Sequence, residues 1–213
     1  MRVPLWLKIA YSCWLIVWLV VYGRYYPTVH FLWMCHVGNV ILAAAVWLEN
    51  PLLFSWQAIS LLLADLLWTM DILGRLLLGF HVMGGTEYLF DDTIPMPVRA
   101  ASLFHAVTPW LLIWALWRFG YDRRAIWCQL ALCAVLFPLS FIFTTQNDNI
   151  NWVLGPPFSS VQKTMSPLAF LFVAMIVYSL VVYVPSHLIF ISIARRSNSG
   201  LDRSPAHKTG APN

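Results

Sequence analysis

Apolar residues run almost unbroken through six stretches of the chain, and the polar residues collect between them. The stretches cover about 4–22, 29–48, 52–72, 99–117, 125–144 and 167–193. Each is close to the roughly 20 residues that a helix needs to cross the hydrocarbon of a bilayer. None alternates with the period of two that a half-buried strand shows. In lipid, every backbone N–H and C=O must find its partner within the protein, and a helix does this within one segment. The pattern therefore predicts an all-α fold: a polytopic integral membrane bundle of six transmembrane helices. The third stretch stays compatible with a helix through Asp71, Gly74, Arg75 and on to Phe80. Pro109, Pro138 and Pro185 each fall inside a stretch and predict bent helices, because proline removes a helix hydrogen bond.

Composition agrees. Of 213 residues, 60% are hydrophobic and 10% charged, with a mean hydropathy of +0.71. A soluble domain carries about 25% charged residues, so this chain is too poor in charge to coat a surface facing water. The first stretch begins between Arg2 and Lys8, and Gly23–Pro27 is no small-x-small cleavage site; a retained first span is expected. Of the 12 tryptophans, Trp6, Trp47, Trp117 and Trp127 stand near span ends, where interfacial belts form. Trp33, Trp68 and Trp110 fall deeper, as packing residues or as the lining of a cavity.

The net charge of +4 has a topological source. Nine of the 13 Lys and Arg lie on one side of a six-span chain: two at the N-terminus, three within 118–124 and four in the tail from Arg195. The positive-inside rule makes that side the cytoplasm, so both termini are expected there. The connection 80–97 then lies outside. No basic face interleaved with aromatics exists, which argues against a nucleic-acid partner. One transmembrane domain, 1–194, and a disordered cytoplasmic tail, 195–213, complete the expected organisation. The partners expected are the lipid bilayer itself and a lipid or other amphipathic small molecule.

Ionisable residues inside membrane spans are expensive and point to function. His36 and Asn39 share a face of the second span. Asp65 and Asp71 lie on the third, Asp65 deeper, and Arg75 stands four residues after Asp71, in ion-pair register. His105 lies in the fourth span between Ser102 and Thr108. Counting residues from the outer ends puts His36, Asp71 and His105 at one depth, in the outer half of the membrane. Such a set can act as a general acid and base, hold a divalent metal, or glue helices together through hydrogen bonds. No HExxH spacing supports the metal, and no motif names a cofactor or an oligomeric state. Cys13, Cys35, Cys128 and Cys133 all sit in apolar runs without CxxC spacing, as buried free thiols would.

Two outer connections add candidate ligand-binding residues. In 80–97, His81 precedes Gly84 and Gly85, which permit a tight turn, and Glu87, Asp91 and Asp92 then sit beside the apolar Tyr88, Leu89 and Phe90. A short interfacial helix at the mouth of the bundle is expected there. In 144–157, Asn149, Asn151 and Trp152 suggest a polar lid that hydrogen-bonds a headgroup or sugar; an ordinary structured loop is the alternative. The strings GTEYLFDD at 85–92, SLFH at 102–105, RFGYDRRA at 118–125 and NINWVLGPP at 149–157 resemble a family of bacterial inner-membrane proteins of uncharacterised activity. The resemblance implies a bacterial inner membrane and brings no mechanism.

Overall fold

The structure is a computed structural model, and it describes residues 2–155 and 165–201, with side chains through residue 194. Among the described residues there are nine α-helices and no strand. In chain order these are α1 (Leu5–Tyr25), α2 (Met34–Leu48), α3 (Pro51–Gln57), α4 (Leu63–Leu78), α5 (Met96–Ala101), α6 (Phe104–Phe119), α7 (Ala125–Phe143), α8 (Pro167–Val177) and α9 (Val184–Leu201). Four helical runs among the described residues are long and apolar enough to cross a membrane: Leu5–Tyr25, Met96–Phe119, Ala125–Phe143 and Pro167–Ala194. Met34–Leu48 is a shorter apolar helix.

The departures from the expected spans have local causes. The second stretch is not one helix. A 3-10 turn, Thr28–Leu32, precedes α2, and Trp33 between them is extended at φ −56° and ψ 134°. The third stretch runs as expected beyond residue 72, to Leu78, where Gly79 ends it in the left-handed conformation at φ 81°. Its start is set by Asn50, whose side-chain oxygen accepts the N–H groups of Leu52 and Leu53, with Pro51 as the first helical residue. A π-helical turn, Ala58–Leu62, joins α3 to α4. A second π turn, Tyr178–Tyr183, joins α8 to α9 just before Pro185. Proline has no N–H and its ring crowds the carbonyl four residues back; a wider turn there relieves that clash. The backbone of α9 continues to Leu201, past the expected start of the tail at 195, and 202–213 lie outside the described residues.

The helices pack as one bundle. α6 lies along α3, the first π turn and α4; α2 packs on α1 and α3; α7 packs on α3 and α8. One core cluster joins Leu42, Val46, Phe54, Leu61 and Leu112, and another joins Ile59, Cys133, Phe137 and Leu171. Outside these clusters the surface is strongly apolar: Leu76, Leu77, Trp117, Trp127, Ile142 and Val181 are all more than half exposed. Apolar area on this scale is stable only against lipid or another apolar phase. Trp6, Trp47, Trp117 and Trp127 are exposed near helix ends, and Trp110 is exposed on α6.

Candidate functional site

A cavity of about 900 Å³ opens into the bundle between α2, α4, α6 and the second π turn. Most of its wall is apolar or aromatic. Its polar groups come from His30, His36, Ser60, Asp65, Glu87, His105 and Asn151, with the Cys35 thiol among them. Both π turns reach it, the first through Ser60 and Leu61 and the second through Tyr178, Val182 and Tyr183. A π turn shifts side chains off the regular helical face, and such turns are frequent at functional sites.

Of the three residues expected to form one floor, the structure brings two to this cavity and removes the third. His105 and His36 both border it; Asp71 does not. The carboxylate beside His105 is Asp65, whose Oδ1 lies 2.7 Å from His105 Nδ1. Asp65 Oδ2 is buried and has no hydrogen-bond partner among the described residues. Trp68 leans on the imidazole, with ring centroids 4.9 Å apart. Cys35 borders the same cavity and packs against the cluster that holds Phe104, whose ring stacks on His105 at 4.0 Å. Pro109 bears on this geometry as well. Lacking an N–H, it leaves the His105 carbonyl without its helical donor, and Thr69 Oγ1 approaches that oxygen at 3.4 Å while donating to the Asp65 carbonyl at 2.7 Å.

His36 is held differently. Its Nδ1–H donates to the His30 carbonyl at 2.7 Å. Trp18 and Tyr22 pack edge-on to the ring, with centroids at 4.9 and 4.6 Å. The imidazole is thus a member of an aromatic cluster that presents its rim to the cavity.

Asp71 anchors the outer loop instead. Its Oδ1 accepts the Met83 and Gly84 N–H groups at 2.7 and 3.1 Å, and its Oδ2 accepts the Thr86 hydroxyl at 2.5 Å and meets His81 Nδ1 at 3.1 Å. The expected Asp71–Arg75 pair is absent: Arg75 donates to the Gly79 carbonyl and lies over the Phe90 ring. Depth counting missed this because the helix runs on past Asp71 and the following loop folds back over its carboxylate. Among the described residues no group of three His, Cys, Asp or Glu side chains is placed to hold a metal.

In the same loop, Gly84 and Gly85 make the expected turn, both with positive φ, and Glu87–Phe90 forms a short 3-10 helix. Glu87 reaches the cavity while accepting the Gly85 N–H at 2.5 Å. Burial pushes the Tyr88 phenol up to about 12, so it remains a donor. Asp91 and Asp92 stand away from the cavity. Asp91 accepts the Thr93 N–H and hydroxyl, bonds that hold its carboxyl below the usual range. Asp92 pairs with Arg99 at 3.1 Å.

The other loop carries a role that no motif announced. Asn151 Oδ1 accepts the Met34 N–H at 2.7 Å, and its Nδ2 donates to the Leu32 carbonyl at 2.7 Å and to Ser140 Oγ at 2.9 Å. One side chain thereby satisfies the backbone on both sides of the break at Trp33. Asn149 closes its own loop, accepting the Leu154 N–H and donating to the Gly155 carbonyl. Trp152 takes φ 55°, a rare conformation for a bulky residue, and packs edge-on against Trp33 at 5.6 Å beside the cavity. His30 meets Asp148 at 3.1 Å, tying this loop to the turn before α2.

The four cysteines are free, as expected, but only Cys133 is buried; Cys13 is exposed, and Cys35 and Cys128 are intermediate. The signal for Asp65 was present in the sequence as an acid deep in a span. For Cys35 there was none, since a thiol in an apolar run reads as packing. No family model matches this chain, and neither a curated protein nor a solved structure matches it.

Proposed function

We propose that this chain is a six-pass protein of a bacterial inner membrane, with both termini cytoplasmic, whose cavity holds a lipid or similar amphipathic molecule. The observation that carries this reading is the cavity: about 900 Å³, mostly apolar, with imidazole, carboxyl and amide groups gathered on its wall. That volume is within the range of small-molecule sites, and the mixture of an apolar wall with a few convergent polar groups suits an acyl chain bearing a polar head. The loops carrying Glu87 and Trp152 border the cavity, and the Lys and Arg asymmetry supports placing them outside. In this site His36, His105, Asp65, Glu87 and Asn151 meet the ligand, while Asp71, His81, Asp91, Asp92 and Asn149 shape the loops around it. A bundle in which intramembrane polar residues serve packing alone would be filled at this point, and the cavity speaks against that alternative.

The test is retention of lipid. Native mass spectrometry of the purified full-length protein should show one co-purifying lipid-sized mass. Ala64→Trp, which projects an indole from the cavity wall, should remove that mass and leave thermal stability in detergent within a few degrees of wild type. Equal lipid retention by wild type and Ala64→Trp would refute the site. For topology, a reporter active only in the cytoplasm should work when fused to the C-terminus; an active exported-only reporter at that position would overturn the six-span arrangement.

A further inference from the structure

Cys35 is the second residue of α2. At a helix start the backbone N–H groups and the helix dipole both favour negative charge. The Met34 N–H is taken by Asn151 and the His36 N–H by the Trp33 carbonyl. The Cys35 N–H between them has no recorded backbone partner among the described residues. The thiol borders the cavity, as does His105, and Cys35 packs against the cluster that holds Phe104, whose ring stacks on the His105 imidazole at 4.0 Å. His105 Nδ1 is engaged by Asp65 at 2.7 Å, which leaves Nε2 as the ring atom able to serve the thiol. The second oxygen of Asp65 is buried and unpartnered among the described residues. A buried carboxylate oxygen left without a partner is expensive as a purely structural element, and such groups gather at functional sites.

We propose that Cys35, His105 and Asp65 form a nucleophilic relay that accepts an acyl group from an ester-bearing amphiphile held in the cavity. The proposal rests on the lipid-binding reading above and adds a reaction to it. Cys35 is the nucleophile, His105 the base, and Asp65 a positioning residue that fixes the ring's tautomer. His105 Nε2 takes the thiol proton as Sγ attacks the carbonyl carbon of the ester. The oxygen that becomes negative would take the Cys35 N–H as its donor. An S–C bond forms, the acyl C–O bond breaks, and the imidazolium returns the proton to the departing alkoxide. The products are a thioester on Cys35 and a free alcohol. A hydroxyl compound, water included, then attacks the thioester; His105 takes its proton and returns it to the leaving thiolate. Neither step changes an oxidation state.

The test uses the full-length protein in nanodiscs of palmitoyl-oleoyl phosphatidylethanolamine and phosphatidylglycerol. Two readouts are taken: an acyl mass increment on the Cys35 peptide that neutral hydroxylamine removes, and release of lysolipid or free fatty acid. We expect at least one of them in wild type. Cys35→Ala and Cys35→Ser should abolish it, while native mass spectrometry still shows bound lipid. His105→Gln should slow it by roughly 100-fold or more, the usual contribution of a general base. Asp65→Asn should slow it and move its pH–rate profile by a unit or more, an effect that a merely structural carboxylate would not have. Bound lipid with neither an adduct nor Cys35-dependent product overturns the relay and leaves the binding site standing. Acylation of Cys13 or Cys128 at the same rate as Cys35 also overturns it. Wild-type protein that retains no lipid overturns both readings.

Discussion

Asn151 offers the sharpest structural perturbation, because one side chain spans a break in the backbone. Asn151→Ala removes three hydrogen bonds: those to the Met34 N–H, the Leu32 carbonyl and Ser140 Oγ. Two of the partners are main-chain groups flanking the extended Trp33, and neither has a helical partner to fall back on. A buried polar group left unpaired costs about 1–3 kcal/mol. Two would cost about 2–6 kcal/mol if the site stayed dry. Asn151 borders the cavity, however, so water can reach part of the gap and replace some of the loss. The expected destabilisation is therefore in the lower half, about 2–3 kcal/mol. Asn151→Asp keeps the acceptor for Met34 but sets a buried carboxylate oxygen against the Leu32 carbonyl, so it should destabilise at least as much as alanine. Equilibrium unfolding in mixed micelles measures both, and hydrogen exchange of the amides at 33–36 locates the damage. If Asn151→Ala unfolds within about 0.5 kcal/mol of wild type, the usual scatter of inconsequential substitutions, the bridging role is wrong.

Asp71→Ala should free the loop 81–86, because the carboxylate holds two backbone N–H groups, a hydroxyl and an imidazole there. Limited proteolysis should then cut within 81–86 while α4 and α6 stay protected, and an unchanged digestion pattern would contradict the assignment. Asp65→Asn and His105→Gln should couple, since each removes half of one contact; a double-mutant cycle should show about 0.5–3 kcal/mol of interaction, and additive losses would refute the pairing. The Thr145 hydroxyl, then His30, hold the Asp148 carboxyl below its usual range. A depressed carboxyl contributes stability above its unfolded value near about 3.9 and loses it as pH falls through the folded value. Protection of the 144–155 amides, corrected for intrinsic exchange, should thus hold at pH 6 and drop by pH 3; equal protection at both would exclude the contact.

The sequence alone determined the class of the molecule. A chain with 10% charge and 60% hydrophobic residues must place apolar surface against lipid, and helix is the state that closes its hydrogen bonds there. Of the six spans it predicted, four helical runs among the described residues are long and apolar enough to cross, and Met34–Leu48 is a shorter apolar helix. The acids and histidines inside those runs were also legible, because their rarity in hydrocarbon makes each one conspicuous. Partnership was not. Depth counting put Asp71 with His105, but residue number gives height along an axis and says nothing of where a chain returns. The loop at 81–86 returned onto Asp71, and Asp65 on the same helix took the histidine. The break at Trp33 was equally hidden, because it depends on an amide 117 residues further along the chain to satisfy Met34. Cys35 had no sequence signature at all, since a thiol becomes chemically distinctive through its neighbours. Only helix packing set a cavity wall, an imidazole and a carboxylate beside it.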